Sequence, residues 1–526
     1  MTTVSFARGL LFASLFSRVV CATHALPRRD VPLGFVVPVC RTARTSRTAF
    51  MPPSTTSKSL TARTSHVDLF RDHQGRNGAA MVAAEVSGGG GVAAIPTPTA
   101  SYPIRKEEPS SGVPVGTSIF NLVKNVVGAG ILAIPGGVTA FSQSKTAVVP
   151  AVAMIVALGS LSGYSFSLIG RVCAATGATS YGDAWAKTVG KRTAWLPTSS
   201  CTFKTFFACM IYSIIIGDVF SDVLKAFGAP AVFAARTNIL CLVSATVLFP
   251  LCLLKDLSAL SFTSIAGVLG TVYTAAVMGI RYFDKSYAEG GRFFAGLAET
   301  ARPVFSGSGA LNPLALILVS MLSTAFVAHF NAPKFYTDLK DKSVKRYNTV
   351  VASSFTAAIG FVVVMTLFPY LTFGGACKSF ILNNYATSDR LATSCRVAIA
   401  TSIVGGFPLV FMPAKNGALS LFGINEPSES QRKVGTALLL AAFTAIGVFL
   451  TDLGFVVSFG GAVLGSSLVF IFPALMWITK CRKEAQKGVA FKGWRRAELV
   501  ADHFVAGLGV VLAVLGGGLS IKKSFF

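Results

Sequence analysis

Between Ile119 and Pro135 the chain reads IFNLVKNVVGAGILAIP, an apolar run long enough to lie in a membrane that nevertheless holds Lys124, Asn125, Gly128 and Gly130. Each glycine costs about 1 kcal/mol of helix propensity, and a proline removes one backbone donor. A helix here is expected to open near Gly128–Ile131. Freed N–H groups of Gly128, Ala129, Gly130 and Ile131 could hold a carboxylate, and the missing side chains would let it come close to the backbone. The same spacing also suits a face of small residues for close helix packing. Open backbone at membrane depth is tolerated only where protein or a water-filled cavity receives it.

Lys124 lies one turn before Gly128 and on the same face, because helix positions four apart are neighbours. An unpaired cation at that depth costs roughly 2.5–3.5 kcal/mol, so it should face the bundle and have a partner. Two roles fit it: a charge that pins helices together, or a group that releases a proton during a working cycle. Asn125 can bond a neighbouring helix or contact a ligand, and Asn121 suits a tether at the helix start.

The elements that must position these residues are membrane helices. The chain has 526 residues, of which 13% are charged, and a mean hydropathy of +0.63. Apolar windows of roughly 20 residues, the length that crosses a hydrocarbon layer, recur from Ser118 to the C-terminus. About eleven spans are expected, near 118–140, 147–170, 200–224, 237–254, 259–281, 313–333, 348–373, 393–412, 433–451, 454–479 and 499–521. In lipid each segment must satisfy its own backbone, and no alternating strand pattern recurs, so the fold class is all-α and polytopic.

A net charge of +25 could suggest nucleic acid, but the basic residues concentrate in alternate loops, which is how membrane topology is encoded. Lys187, Lys191 and Arg192, then Lys334, Lys340, Lys342, Lys345 and Arg346, then Arg432 and Lys433, then the run from Lys480 to Arg496 mark the inner side. The N-terminus is thus expected inside and the C-terminus outside. Ten cysteines show no CxxC spacing and five histidines form no ligand cluster, so neither metal nor cofactor is expected. Cys377 and Cys395 flank one outer loop and are candidates for a disulfide if that side is oxidising. No nucleophile with a base and no carboxylate pair points to an enzyme.

Residues 1–116 differ in composition, with Ser, Thr, Arg and Pro common and acids few. The start resembles a signal peptide, the arginine-rich continuation resembles a transit peptide, and Val86–Pro103 reads as a flexible linker. An unstructured cytosolic tail fits the same composition. The leader leaves a plastid envelope open beside a vacuolar or plasma membrane.

Four stretches, in order, resemble the amino acid/auxin permease family, whose members carry the amino acid transporter transmembrane domain. Phe120, Asn121, Leu122, Gly128, Ala129, Gly130, Ile131, Leu132 and Pro135 match its first-span pattern, and Tyr212–Asp218 resembles its third-span signature. Phe326–Val351, with His329, Asn331, Tyr336, Leu339 and Lys340, resembles the sixth span and following loop; Ile381–Tyr385 with Arg396, Pro408 and Pro413 resembles the approach to and through the eighth. The resemblance covers about residues 116–521, with the domain itself placed at 117–524. It implies a secondary transporter of eleven helices, with a LeuT-like core of two inverted five-helix repeats and broken helices 1 and 6, moving amino acids by alternating access. Small neutral amino acids are the expected substrates.

The resemblance also implies where substrate and ion sit. The α-carboxylate would rest on 128–130, and carbonyls of the first and sixth spans would hold the α-amino group. Thr324 to Asn331, including His329, would form the opposing wall. Sodium-coupled members of the family often carry asparagine where this chain has Lys124, and threonines where it has Val404 and Gly406. The lysine could stand in place of sodium, with Thr401, Ser402 or backbone carbonyls as acceptors. Proton coupling or sodium-independent exchange is therefore expected over sodium symport. His329 and Asp218 are further candidates for carrying the proton, although Asp218 near the outer end also suits an ion pair. Lys204, Asp222, Asp452, Asp502 and His503 are expected near helix ends, where snorkelling makes charge inexpensive. A transport-like amino-acid receptor is the reading from another class, and it would call for a substantial effector region that the leader's composition does not suggest.

Overall fold

The computed structural model describes residues 112–254, 261–421, 424, 426–489 and 493–526. The expectations placed on the first 111 residues, including the leader and the linker, lie outside the described residues. Among the described residues ten helices are long and apolar enough to cross a membrane, and a bent pair at the start makes an eleventh span. The later spans are Lys145–Thr176, Lys191–Ala226, Arg236–Leu253, Ile265–Phe283, Ala315–Thr337, Val344–Phe373, Arg390–Ser420, Glu429–Phe449, Leu453–Gln486 and Trp494–Phe525. Most overrun the apolar windows of the sequence by several residues, because helix hydrogen bonding continues into the polar ends.

The first span breaks as its residues require. Its helix Val115–Val126 stops where Val127 turns to ψ 81° and Gly128 is extended, at φ −103° and ψ 171°. A 3₁₀ turn, Ala129–Ala133, leads into a second helix, Ile134–Thr139, and the two halves are bent by 42°. Pro135 stands in the first turn of that second half, where a missing N–H would have had no partner anyway. The break is thus made by the glycine segment, and the proline starts the second half-helix.

The sixth span repeats the device. Its helix Ala315–Ala325 is followed by irregular backbone, a 3₁₀ turn at His329–Asn331 and a second helix Ala332–Thr337, with Pro333 again in the first turn.

Several neighbour relations come in matched pairs. The second span packs on the seventh and the third on the eighth. The contact of the first span with the seventh is matched by that of the sixth with the second. Fifth on eighth is matched by tenth on third, and fifth on seventh by tenth on second. Each relation maps onto another when every span is advanced by five, and an odd shift reverses the direction of crossing. The core is therefore an inverted five-plus-five repeat. The eleventh span lies outside this scheme, packed on the tenth.

The side away from the basic loops is stitched shut. Asp389 is fully buried and takes a two-pronged ion pair from Arg281, at 2.8 and 2.7 Å, with Tyr287 donating at 2.9 Å. Burial works against the charge of Asp284 just beyond the fifth span, yet hydrogen bonds from Ser286 and Arg281 hold its carboxyl below the usual range. The loop between the fifth and sixth spans also pairs with both neighbours, Gln143 to Ser306 and Val304 to Gly374. Gly374 is required there: its φ is +58°, and a side chain would meet the Val304 carbonyl. Cys377 and Cys395 are buried free thiols rather than a disulfide.

Candidate functional site

The two breaks face each other. A Cβ on Gly130 would lie 3.8 Å from Thr324 Cγ2 of the sixth span. Thr324 is itself fixed, since its hydroxyl donates to the Val457 carbonyl of the tenth span at 2.7 Å. Gly461 lets those two spans close, because a Cβ there would run into the Ser320 carbonyl. Among the described residues the N–H groups of Ala129 and Gly130 find no acceptor, and the carbonyls of Phe326 and Val327 accept no backbone hydrogen bond. Donors for a carboxylate and acceptors for an ammonium group thus stand on opposite walls. Unpaired backbone at such depth is what a bound zwitterion would satisfy.

Two voids lie on either side of the breaks, both lined in part by the first and sixth spans and the second also by the tenth and eleventh. On the basic side a cavity of about 360 Å³ runs between the half-helices Val115–Val126 and Ala332–Thr337. Asn121, Lys124 and Asn125 line one wall, and Asn331, Lys334 and Asp338 the other. On the opposite side a void of about 210 Å³ lies between the other two half-helices, against Gly136, Thr139, Met321, Asp452 and Lys523. Ile131, Leu132 and Ala133 are buried between them. The larger void thus lies on the basic side and the smaller one on the other.

An arrangement of paired broken helices, with a polar cavity on one side and a smaller void on the other, is that of a carrier. The family profile described as "Transmembrane amino acid transporter protein" matches residues 112–521. The chain belongs to that family. As a member it is a secondary amino acid transporter, integral to the membrane, and not an enzyme. It is similar to the sodium-coupled neutral amino acid symporter 2 of Danio rerio, 25% identical over 392 residues, spanning 71% of this chain and 77% of that one. It is also similar to amino acid transporter AVT6E of Arabidopsis thaliana, 27% identical over 398 residues, spanning 72% and 78%. Among solved structures, the inward-facing conformation of Mhp1 covers 78% of this chain and 91% of its own at 12% identity and a TM-score of 0.49. MhsT in complex with L-phenylalanine covers 76% and 98% at 12% identity and a TM-score of 0.43.

The structure gathers some of the transporter's expected site residues and disperses others. Gly128, Ala129, Gly130 and Ile131 form the break, Thr324 faces it, and Lys124, Asn125 and Asn331 line the basic-side cavity. Asn121 also lines the cavity, within the half-helix, so it is no tether at the helix start.

His329 is turned away: it is fully buried against Phe166 and Phe355, and its Nε2 lies 3.0 Å from the Ser162 carbonyl of the second span. It holds the sixth-span break against the second span. Asp218 does not reach the cavity either, because its carboxylate pairs with Arg236 and accepts from Asn383 at 3.0 Å. That pairing closes the end of the third span away from the basic loops.

Lys124 has neither ion pair nor hydrogen bond among the described residues, contrary to the expectation of a partner; the cavity itself provides its polar surroundings. Its expected acceptors lie elsewhere. Thr401 is exposed and bonds back to the Val397 carbonyl, while Ser402 packs where Gly267 of the fifth span leaves room. Gly406 faces Tyr212 of the third span.

Sequence reasoning reads Lys334 only as an inner-loop charge and does not single out Asp338; it expects a broken sixth span from the resemblance, without placing the break at Phe326–Ala328. The one signal that could have found the break is Pro333, placed after it as Pro135 is placed after the first.

Proposed function

We propose that this transporter carries small neutral amino acids by alternating access, coupled to protons or independent of sodium. The α-carboxylate binds the N–H groups of Ala129 and Gly130, and the α-amino group binds carbonyls of the irregular sixth-span backbone. The observation that carries this reading is the facing pair of breaks with unmatched donors on one wall and acceptors on the other. Lys124 lines the basic-side cavity, where it could exchange a proton, and among the described residues it forms no ion pair. Val404 and Gly406 offer no hydroxyl to a sodium ion. Asn125 and Asn331 guide the substrate through the cavity, and His329 acts by holding the sixth-span break in position. The membrane is vacuolar or plasma membrane, or a plastid envelope if residues 1–116 direct it there. Sodium coupling is the second reading, and the name of the Danio rerio relative favours it.

Uptake of labelled amino acids into liposomes, with proton and sodium gradients imposed separately, tests the coupling. Wild-type uptake is expected to follow the proton gradient and to be unchanged when choline replaces sodium. Lys124→Ala should lose about 100-fold or more of the driven uptake, the scale of a positioned proton-transfer group. Lys124→Arg keeps the charge but cannot release a proton, so it should keep exchange and lose accumulation. Wild-type uptake that requires sodium overturns the assignment, and full accumulation by Lys124→Arg reduces Lys124 to a fixed charge.

A further inference from the structure

The eleventh span, outside the repeated core, carries a carboxylate that the core site does not use. Asp502 is fully buried, eight residues or about 12 Å into its helix, not at an end where its charge would be inexpensive. The Tyr164 hydroxyl of the second span donates to its Oδ1 at 2.8 Å. Its Oδ2 is buried with no hydrogen-bond partner among the described residues.

The contact is one rung of a ladder between two antiparallel helices. Tyr164 and Arg171 lie two turns apart on one face of the second span, and Asp502 and Glu498 one turn apart on the eleventh. Nearer the basic side, Arg171 grips Glu498 through both carboxylate oxygens, one at 3.0 Å, and lies over the Trp477 ring of the tenth span. Glu498 therefore has its cation, and that cation is committed. From the tenth span the other charges are likewise engaged: Lys480 pairs with Glu484, and Arg482 turns to His503. Cys481 of the tenth span is buried near the same seam. His503, beside Asp502 in sequence, is exposed and bonds the Leu499 carbonyl. No cation among the described residues is left for Asp502.

We propose that Asp502 is a proton-binding site of this transporter, taking up H⁺ from water on Oδ2 while Tyr164 holds Oδ1, and so setting how firmly the second span is held to the eleventh. A buried ionised carboxylate with one bare oxygen is expensive, and adding a proton there removes the charge without disturbing the Tyr164 bond. Tyr164 itself is only partly buried. The second span packs on the sixth and seventh, so a change in its docking reaches the broken sixth span. The site stands apart from Lys124, and its test does not require transport.

Infrared difference spectra of the full chain in liposomes, recorded on acidification through the neutral range, read the site directly. The carbonyl-stretch band of a protonated carboxylic acid should grow in the wild type and be missing in Asp502→Asn, which keeps an acceptor for Tyr164. Tyr164→Phe should retain the band but move it in frequency and in midpoint pH, as a merely structural contact would not. Amino acid exchange measured in parallel should lose its acid-side pH dependence in Asp502→Asn. The same difference band in Asp502→Asn, or no carboxyl that changes protonation over that range, overturns the proposal.

Discussion

Gly130→Val is expected to abolish amino acid uptake in a protein that still folds. Gly130 is not held in a left-handed conformation, and the nearest group to an added Cβ is Thr324 Cγ2 at 3.8 Å, an ordinary contact distance. The backbone can therefore accept the side chain. Its two further methyl groups would fill the gap between the break and the sixth span, where the substrate's α-carbon has to lie. Misplacing a bound group by even about 1 Å can cost on the order of 100-fold, so at least that loss is expected. Gly116→Ala, in the half-helix before the break and with open space around it, is the control and should transport normally. Full uptake by a folded Gly130→Val protein would remove the first-span break from the substrate path.

Arg281→Met is expected to produce the largest loss of stability among single changes in the transporter. Asp389 is fully buried and would keep Tyr287 and the N–H groups of Leu391 and Ala392 as donors, but would lose its only cation among the described residues. Leaving one member of a buried pair charged and alone costs about 3–5 kcal/mol. The unfolding temperature in detergent, monitored by tryptophan fluorescence, should fall accordingly. Adding Asp389→Asn to the same protein should recover part of the loss, since it removes the stranded charge and keeps an acceptor for the start of the eighth span. An unchanged unfolding temperature in Arg281→Met would show that this network does not hold the fifth span to the loop before the eighth.

How much the sequence made legible depends on how strongly each feature is encoded locally. The spans are readable because apolar windows of membrane length allow little else in lipid. The first break is readable because Gly128 and Gly130 weaken the helix where they stand. The sixth break is expected from the family resemblance alone and not from its own residues, because Phe326, Val327 and Ala328 are ordinary helix residues, and their backbone is opened by tertiary packing instead. Facing direction is the harder problem. Thr401 and Ser402 are natural acceptors for Lys124 on sequence grounds, yet which way a helix turns depends on its neighbours, and the eighth span packs on the third and fifth. His329 stands out as an intramembrane histidine, but its aromatic neighbours Phe166 and Phe355 come from two other spans. Asp502 reads as a helix-end residue only because the helix begins at Trp494, five residues before the apolar window.

The measurement that bears most directly on the account is counterflow: liposomes containing the purified chain, loaded with a mixture of unlabelled amino acids, exposed to labelled ones with no ion gradient. The account predicts a transient, saturable accumulation of label, strongest for small neutral amino acids and absent in Gly130→Val. No accumulation of any amino acid, by protein that still binds one, would contradict it and favour a receptor built on a transporter fold.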